Sequence, residues 1–378
     1  MRVLAFLLIL LGLNGVVRAA DSPAGLSGVR ELVDAAIAAG ECPGAVVVIG
    51  RSDELLHAEA YGNRQVEPSL EPMLLSTVFD VASLTKPVAT GTSVMILVQE
   101  QKVDVEAPVS RWLPEFTGEG KEQITVHQLL THTSGLIADN ALKDYLQGPD
   151  QAWKKICALK LVAAPGQKFI YSDVGFIVLG KLVERVSGQS LKDFAAERIY
   201  RPLGMSETGY LPSAELQARC APMNQEEGKW IQGVVHDPRA RAMGGIAGHA
   251  GLFSTGMDLS RFARMILKKG ELDGVRILQP ATVELTSVGH QVAEGQTRTW
   301  GWDHKTGYSS NRGQGMSSLA IGHGGFTGTG LWIDPELDLY VIFLSNRLHP
   351  DGKGRVNSLI GQIGSIAVQA VKENSPRP

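Results

Sequence analysis

Apolar and polar positions alternate with different periods in different parts of this chain. Gly28 to Gly40 carries an amphipathic helical pattern. Gly44 to Gly50 is a continuous apolar run of strand length. Arg51-Ser52-Asp53 marks a turn, and Leu55 to Tyr61 is expected to pair back as a hairpin. Pro87 to Val98 is apolar enough to be buried whether helix or strand. Helical patterns then dominate: Gln151 to Leu161, Val174 to Val186, Ser190 to Tyr200, and Met257 to Lys269 with its stripe of Leu259, Phe262, Ile266 and Leu267. Strand signals return from about Trp300 to Asn346. Leu331-Trp332-Ile333 and Leu339 to Leu344 flank the turn Asp334 to Asp338, and Ser358 to Lys372 reads as a terminal helix.

Strands at both ends with helices between them predict an α/β architecture of the α+β kind. An antiparallel sheet joins N- and C-terminal strands, flanked by the terminal helices, with an all-helical lobe inserted. The expected boundaries are roughly 25–85 and 286–375 for the sheet lobe and 86–285 for the helical lobe. A site is expected in the cleft between them.

The chain has 378 residues, ample for a sizeable core, and a formal net charge of −3 with both signs interspersed, which argues against a nucleic-acid surface. Met1-Arg2, the apolar run Val3 to Leu13 and Val17-Arg18-Ala19 read as a signal peptide over 1–19. That run is short for a membrane span, so the mature chain is expected in a periplasm or secreted, without stable membrane insertion. Cys42, Cys157 and Cys220 leave at most one disulfide open, and Cys157 lies on an apolar face. No cofactor is expected, and oligomeric state is left open.

Ser83-Leu84-Thr85-Lys86 is the one Ser-x-x-Lys in the chain. On a helix its serine and lysine share a face, where an amine can take the hydroxyl proton or hold a nearby phenolate. The competing reading is a capped helix start. Tyr171-Ser172-Asp173 follows a Pro-Gly turn and a β-rich run, Lys168 to Ile170. Gly322-His323-Gly324-Gly325-Phe326 precedes the C-terminal hairpin. For Tyr171 the bland reading is a core tyrosine, for Asp173 a helix cap.

Serine, lysine, tyrosine and a Gly-rich strand in this order resemble the serine β-lactamase and penicillin-binding-protein superfamily, in its class C-like branch. Its motifs are Ser-x-x-Lys, Tyr-x-Asn and Lys-Thr-Gly. Phe79-Asp80-Val81-Ala82 and Leu129-Leu130-Thr131-His132-Thr133-Ser134-Gly135-Leu136 add to the likeness, which covers almost all of the mature chain. The resemblance implies the β-lactamase/transpeptidase-like fold and an acyl-enzyme on Ser83. Lys86, Tyr171 and His323 assist it, and the oxyanion hole comes from the backbone of Ser83 and Phe326. Gly324 and Gly325 let substrate approach the strand edge. Whether Lys86 or Tyr171 is the base stays open.

Two departures bear on substrate. Asp173 stands where the family has asparagine, and favours Lys86 as ammonium. His323-Gly324 replaces a permanent cation and a hydroxyl, so a β-lactam or a free carboxylate is expected to be a poor substrate. A literal Lys305-Thr306-Gly307 exists, but it runs into a polar loop with no apolar strand behind it, so His323 is preferred. His236-Asp237 and His249, in a Gly-rich stretch, match no standard zinc spacing. They resemble the penicillin-binding protein 4B-like and muramoyl-peptide amidase branch and are expected near substrate, with Asp173, rather than on a metal. The expected activity is amide cleavage in a small peptide or muropeptide. The alternatives are a carboxylesterase or β-lactamase of the same fold, a penicillin-binding module that acylates and stalls, and a metallohydrolase.

Overall fold

The computed structural model of the protein describes residues 25–374. The expected targeting segment, 1–19, lies outside the described residues. After helix α1 (Gly28–Ala38), strands β1 (Gly44–Gly50), β2 (Leu55–Gln65) and β3 (Glu71–Pro72) form one end of a nine-stranded antiparallel sheet. The other end comes from β4 (His290–Ala293), β5 (Gln296–Arg298), β6 (Asp303–Lys305), β7 (Ile321–Gly325), β8 (Thr329–Asp334) and β9 (Leu339–Ser345), in the order β4-β5-β6-β7-β8-β9-β1-β2-β3. The two ends meet where β1 pairs with β9, Val47 opposite Phe343.

Every residue of β1 is buried, which explains a continuous apolar run in an antiparallel sheet. Ala45, Val47 and Ile49 face α1 and the C-terminal helix (Asn357–Glu373), packing with Val33, Ile360 and Ile363. Val46 and Val48 face the opposite way, with Leu259 and Phe262, into a core continuous with the helical part.

Between these sheet segments helices predominate. The apolar run after Ser83 is a π-helical turn, Lys86–Gly91, leading into α2 (Thr92–Gln99). Helices α3 (Val126–Leu130), α4 (Asp173–Ser187), α5 (Pro238–Ala242) and α6 (Gly256–Leu267) follow. Short ladders punctuate this part. The most important joins Leu252–Ser254 to Phe79–Asp80 on one side and Gly209–Tyr210 on the other. Two local expectations change. Residues 168–170 form no strand, because the Ile170 N–H bonds to the His132 carbonyl instead of a ladder. Lys305 does lie in a strand, where it pairs with Thr297 of β5. None of the three cysteines forms a disulfide among the described residues, and none of the described helices is long and apolar enough to cross a membrane.

Candidate active site

Ser83 sits on a tight turn that three separate segments hold in place. Ala82, just before it, adopts φ 47°, a conformation costly for a residue with a Cβ. The Asp80 carboxylate pins that turn by accepting from the Ala82 N–H at 2.8 Å. Its other oxygen accepts from the His236 N–H at 2.7 Å. Burial pushes the Asp80 carboxyl up to about 6, against the lowering effect of these two N–H donors. From the sheet side, Thr327 donates to the Asp80 carbonyl at 2.7 Å and Thr329 to the Val81 carbonyl at 3.1 Å. Gly325 permits this closeness: a Cβ there would collide with Thr329 Oγ1 and crowd the Val81 carbonyl.

Lys86, one turn on, is fully buried, and its ammonium donates to Ser83 Oγ at 3.0 Å. It also donates to the His249 carbonyl at 3.1 Å and lies 2.6 Å from Asp173 Oδ1. Burial alone would lower its pKa. The Asp173 carboxylate and the Tyr171 side chain outweigh burial and hold it above the usual lysine range. Lys86 is thus an ammonium whose partners all lie around the cleft.

Tyr171 arrives on the segment entering α4. The 131–138 segment braces that entry: His132 Nδ1 accepts from the Ser172 N–H at 3.0 Å, and the Ala138 carbonyl accepts from the Asp173 N–H at 2.9 Å. Ser172, not Asp173, caps α4, accepting from the Gly175 N–H. Asp173 is thereby left free to face Lys86. The Tyr171 ring packs against His132 at 4.5 Å, Tyr308 at 4.9 Å and His323 at 6.0 Å between centroids, with Lys86 Nζ 4.9 Å from its own centroid.

His323 lies on β7 beside this group. It is buried, and its Nδ1 donates to the Gly324 carbonyl at 2.7 Å. Burial, with the nearby charges of Arg298 and Lys86, pushes its pKa well below the usual histidine range, so the ring is neutral. Gly324, Gly325 and the exposed Phe326 continue along the same rim. Lys305 is exposed at the end of β6 and does not line the cleft.

The Gly-rich segment forms the facing wall. Leu252 anchors it, its carbonyl accepting from the Val81 N–H and its N–H donating to Thr85 Oγ1. Thr90 donates to the Gly248 carbonyl at 2.7 Å. Asp237 caps α5 by accepting from the Ala240 N–H at 2.7 Å, and its Oδ1 lies 3.0 Å from His249 Nε2. His236 turns instead toward Asn224, 3.0 Å from its Nε2, with Phe326 beside its ring. One ligand atom each of Asp173, Asp237 and His249 lies within 4.8 Å of the others. The Lys86 ammonium already sits against Asp173 in that cluster, and His249 and Ala240 engage Asp237.

Together these residues line a cleft of about 980 Å³ between the β7 edge and the helical part. It holds every candidate named from the sequence except Lys86, which lies buried beneath Ser83. Asp139, Arg239, Arg298, Asp303, Tyr308 and Asn311 also line it and were not anticipated. In the sequence Asp80 stands out only through the resemblance carried by Phe79-Asp80-Val81-Ala82. Its carboxylate joins the serine turn to the opposite wall.

Comparison with known proteins agrees with this arrangement. The Beta-lactamase family profile matches residues 29–363. A Bacillus subtilis (strain 168) protein named N-acetylmuramyl-L-alanine amidase is 32% identical over 362 residues, spanning 85% of this chain and 80% of that protein. Among solved structures, EstCE1, a hydrolase with promiscuous acyltransferase activity, superposes with TM-score 0.74 at 24% identity, covering 91% of this chain and 98% of that one. The octameric penicillin-binding protein homologue from Pyrococcus abyssi gives 0.72 at 23% identity, covering 90% and 76%. At these identities the two structures bear on fold alone.

Proposed function

This chain belongs to the Beta-lactamase family and is a hydrolase of that family, and from that membership we propose that it cleaves amide bonds in peptidoglycan-derived peptides through an acyl-enzyme on Ser83. The observation that carries the reading is the contact of Ser83 Oγ with Lys86 Nζ at 3.0 Å, inside a cleft where Tyr171 packs on the same ammonium.

Ser83 Oγ attacks the substrate carbonyl carbon, and the backbone N–H groups of Ser83 and Phe326 receive the developing oxyanion. The serine proton must go to a group able to accept it. Lys86 is held as ammonium by Asp173, so the acceptor is Tyr171 in its phenolate form, which takes the proton as base and returns it to the leaving amine. Lys86 keeps Ser83 Oγ oriented and offsets negative charge on the phenolic oxygen. Water then attacks the acyl-enzyme with the same groups acting in reverse. The buried neutral His323 shapes the rim beside Tyr171 rather than exchanging protons.

The amidase relative spans most of both chains, which supports an amide in a cell-wall fragment as the bond cleaved. Export on the N-terminal signal-like segment would bring the enzyme to such fragments. Digestion of purified muropeptides, followed by mass, tests the substrate. The wild-type protein is expected to convert a parent mass into two fragments that sum to it plus water. Ser83→Ala is expected to leave the parent intact. Unchanged muropeptides with active wild-type enzyme would overturn the substrate.

A further inference from the structure

Lys305-Thr306-Gly307 does not face the serine, yet it has a place in the cleft. Lys305 ends β6, and Thr306 and Gly307 carry the chain from there to Tyr308, which lines the cleft. Asp303, buried at the start of β6, is the hub of this loop. Its Oδ1 accepts from the His304 N–H at 2.9 Å and from Thr306 Oγ1 at 2.8 Å, and its Oδ2 accepts from Ser309 Oγ at 2.8 Å. The two hydroxyls accept in turn from the loop backbone, Thr306 Oγ1 from the Tyr308 N–H at 3.1 Å and Ser309 Oγ from the Thr306 N–H at 2.9 Å. The Gly307 N–H donates to Gln296 Oε1 at 3.3 Å, and the Ser309 N–H to the Thr306 carbonyl at 3.1 Å. Every N–H group from Thr306 to Ser309 is thus engaged, and the loop is tied down at each step.

What the loop presents is an aromatic ring that is only partly covered. The Tyr308 ring stacks on Tyr171 at 4.9 Å between centroids, with 31° between planes, and meets Phe169 edge-on at 6.1 Å. It stays 55% exposed, at the cleft. Of the other rings against Tyr171, His132 and His323 are buried. Tyr308 is therefore the neighbour of Tyr171 that offers an open aromatic surface to an incoming molecule. A ring already fixed by its loop loses little freedom when a second flat group stacks on it.

In the reaction above Tyr171 hands its proton to the departing atom, so a group stacked on the ring beside Tyr171 belongs to the leaving half of the substrate. We propose that Tyr308 is a specificity-determining residue, whose open ring selects a leaving group with a flat face close to the departing atom. An aryl ring meets that need. In a peptide the amide plane one carbon beyond the released nitrogen meets it too. Thr306 is the positioning residue of Tyr308, since its hydroxyl links the Tyr308 backbone to Asp303. The proposal rests on the acyl-enzyme reading and adds to it a preference on the leaving side.

Two esters with the same acyl group test it, one releasing phenol and the other hexafluoroisopropanol, an alkyl alcohol of comparable acidity. The ratio of their kcat/KM values is divided by the ratio for hydrolysis by hydroxide, which removes intrinsic reactivity. Wild type is expected to favour the phenyl ester about fivefold or more on that scale, the size of an aromatic stack. Tyr308→Ala is expected to bring the ratio near one, whatever it does to absolute rates, and Tyr308→Phe to keep it. Thr306→Val, which loses both hydroxyl bonds, is expected to fall between. A wild-type ratio near one would overturn the proposal, as would a ratio unchanged in Tyr308→Ala or one lost equally in Tyr308→Phe. A Thr306→Val ratio equal to that of wild type would overturn the positioning role of Thr306. Ser83→Ala reports separately on the acyl-enzyme reading: turnover that depends on Ser83 but shows no preference removes only the role of Tyr308, and turnover that survives Ser83→Ala removes the reading beneath it.

Discussion

At the scale of single residues, the site is organised by which charges are buried together. Lys86 is kept charged against its burial chiefly by Asp173. Asp173→Asn removes the carboxylate while keeping an acceptor, so burial is less opposed and Lys86 loses its proton at lower pH. The alkaline limb of kcat/KM against pH is expected to move toward acid by about one unit or more. An unmoved limb would mean that Lys86 does not titrate in the active form. The serine, lysine and tyrosine were legible because short spacings and a neighbouring apolar run carry them. Arg298 was not: it lies in a polar stretch, Gln296 to Arg298, and reaches the cleft only through the pairing of β5, β6 and β7. Asp80 was hidden for a related reason, since its two N–H partners come from its own turn and from His236, far along the chain.

At the scale of elements, the Ser83 turn works because the Gly-rich wall and the start of the β7–β8 hairpin both press against it. Gly248 is a critical point of that wall. A Cβ there would run into the Phe176 carbonyl on α4, and the Gly248 carbonyl already accepts from Thr90. Gly248→Ala is expected to cost about 2–3 kcal/mol in urea unfolding, the scale of overpacking, and to lower kcat by shifting His249 off Lys86. A cost below about 1 kcal/mol would show that the wall yields freely. On the hairpin side, Thr327→Val removes the bond to the Asp80 carbonyl and is expected to cost about 1–3 kcal/mol, leaving a buried acceptor unpaired. Equal stability of variant and wild type would count against the clamp. Helix periods and the flanking strands were readable here, because each buries a face of regular spacing. The Lys168 to Ile170 run misled, since its backbone is taken by the His132 segment. Lys305 misled in the opposite sense, lying in a short strand, Asp303–Lys305, too polar to show a strand pattern.

At the scale of the whole molecule, a sheet assembled from both ends of the chain presents β7 to helices contributed by the middle. That much followed from strands at the ends and helices between. The fold also buries histidines as neutral rings. Burial lowers His132 and His323 most strongly, and His57, His127, His236, His290 and His349 as well. In the unfolded chain these rings bind protons below about pH 6.5, so the unfolded state gains protons first and stability falls as pH drops through that value. Asp80 opposes this in part: with its folded pKa near 6, it takes up a proton in the native state between about pH 6 and 4 and adds stability there. The histidines outnumber it, so the urea midpoint is expected to be lower at pH 5.0 than at pH 7.5. An equal or higher midpoint at pH 5.0 would contradict this protonation scheme. The proposed covalent chemistry at the Ser83 hydroxyl is read directly by intact-protein mass spectrometry after acid quench during ester turnover. The predicted result is a mass gain equal to the acyl group, mapped to the peptide containing Ser83 and absent from Ser83→Ala. An adduct on another residue, or undiminished turnover by Ser83→Ala, would contradict it.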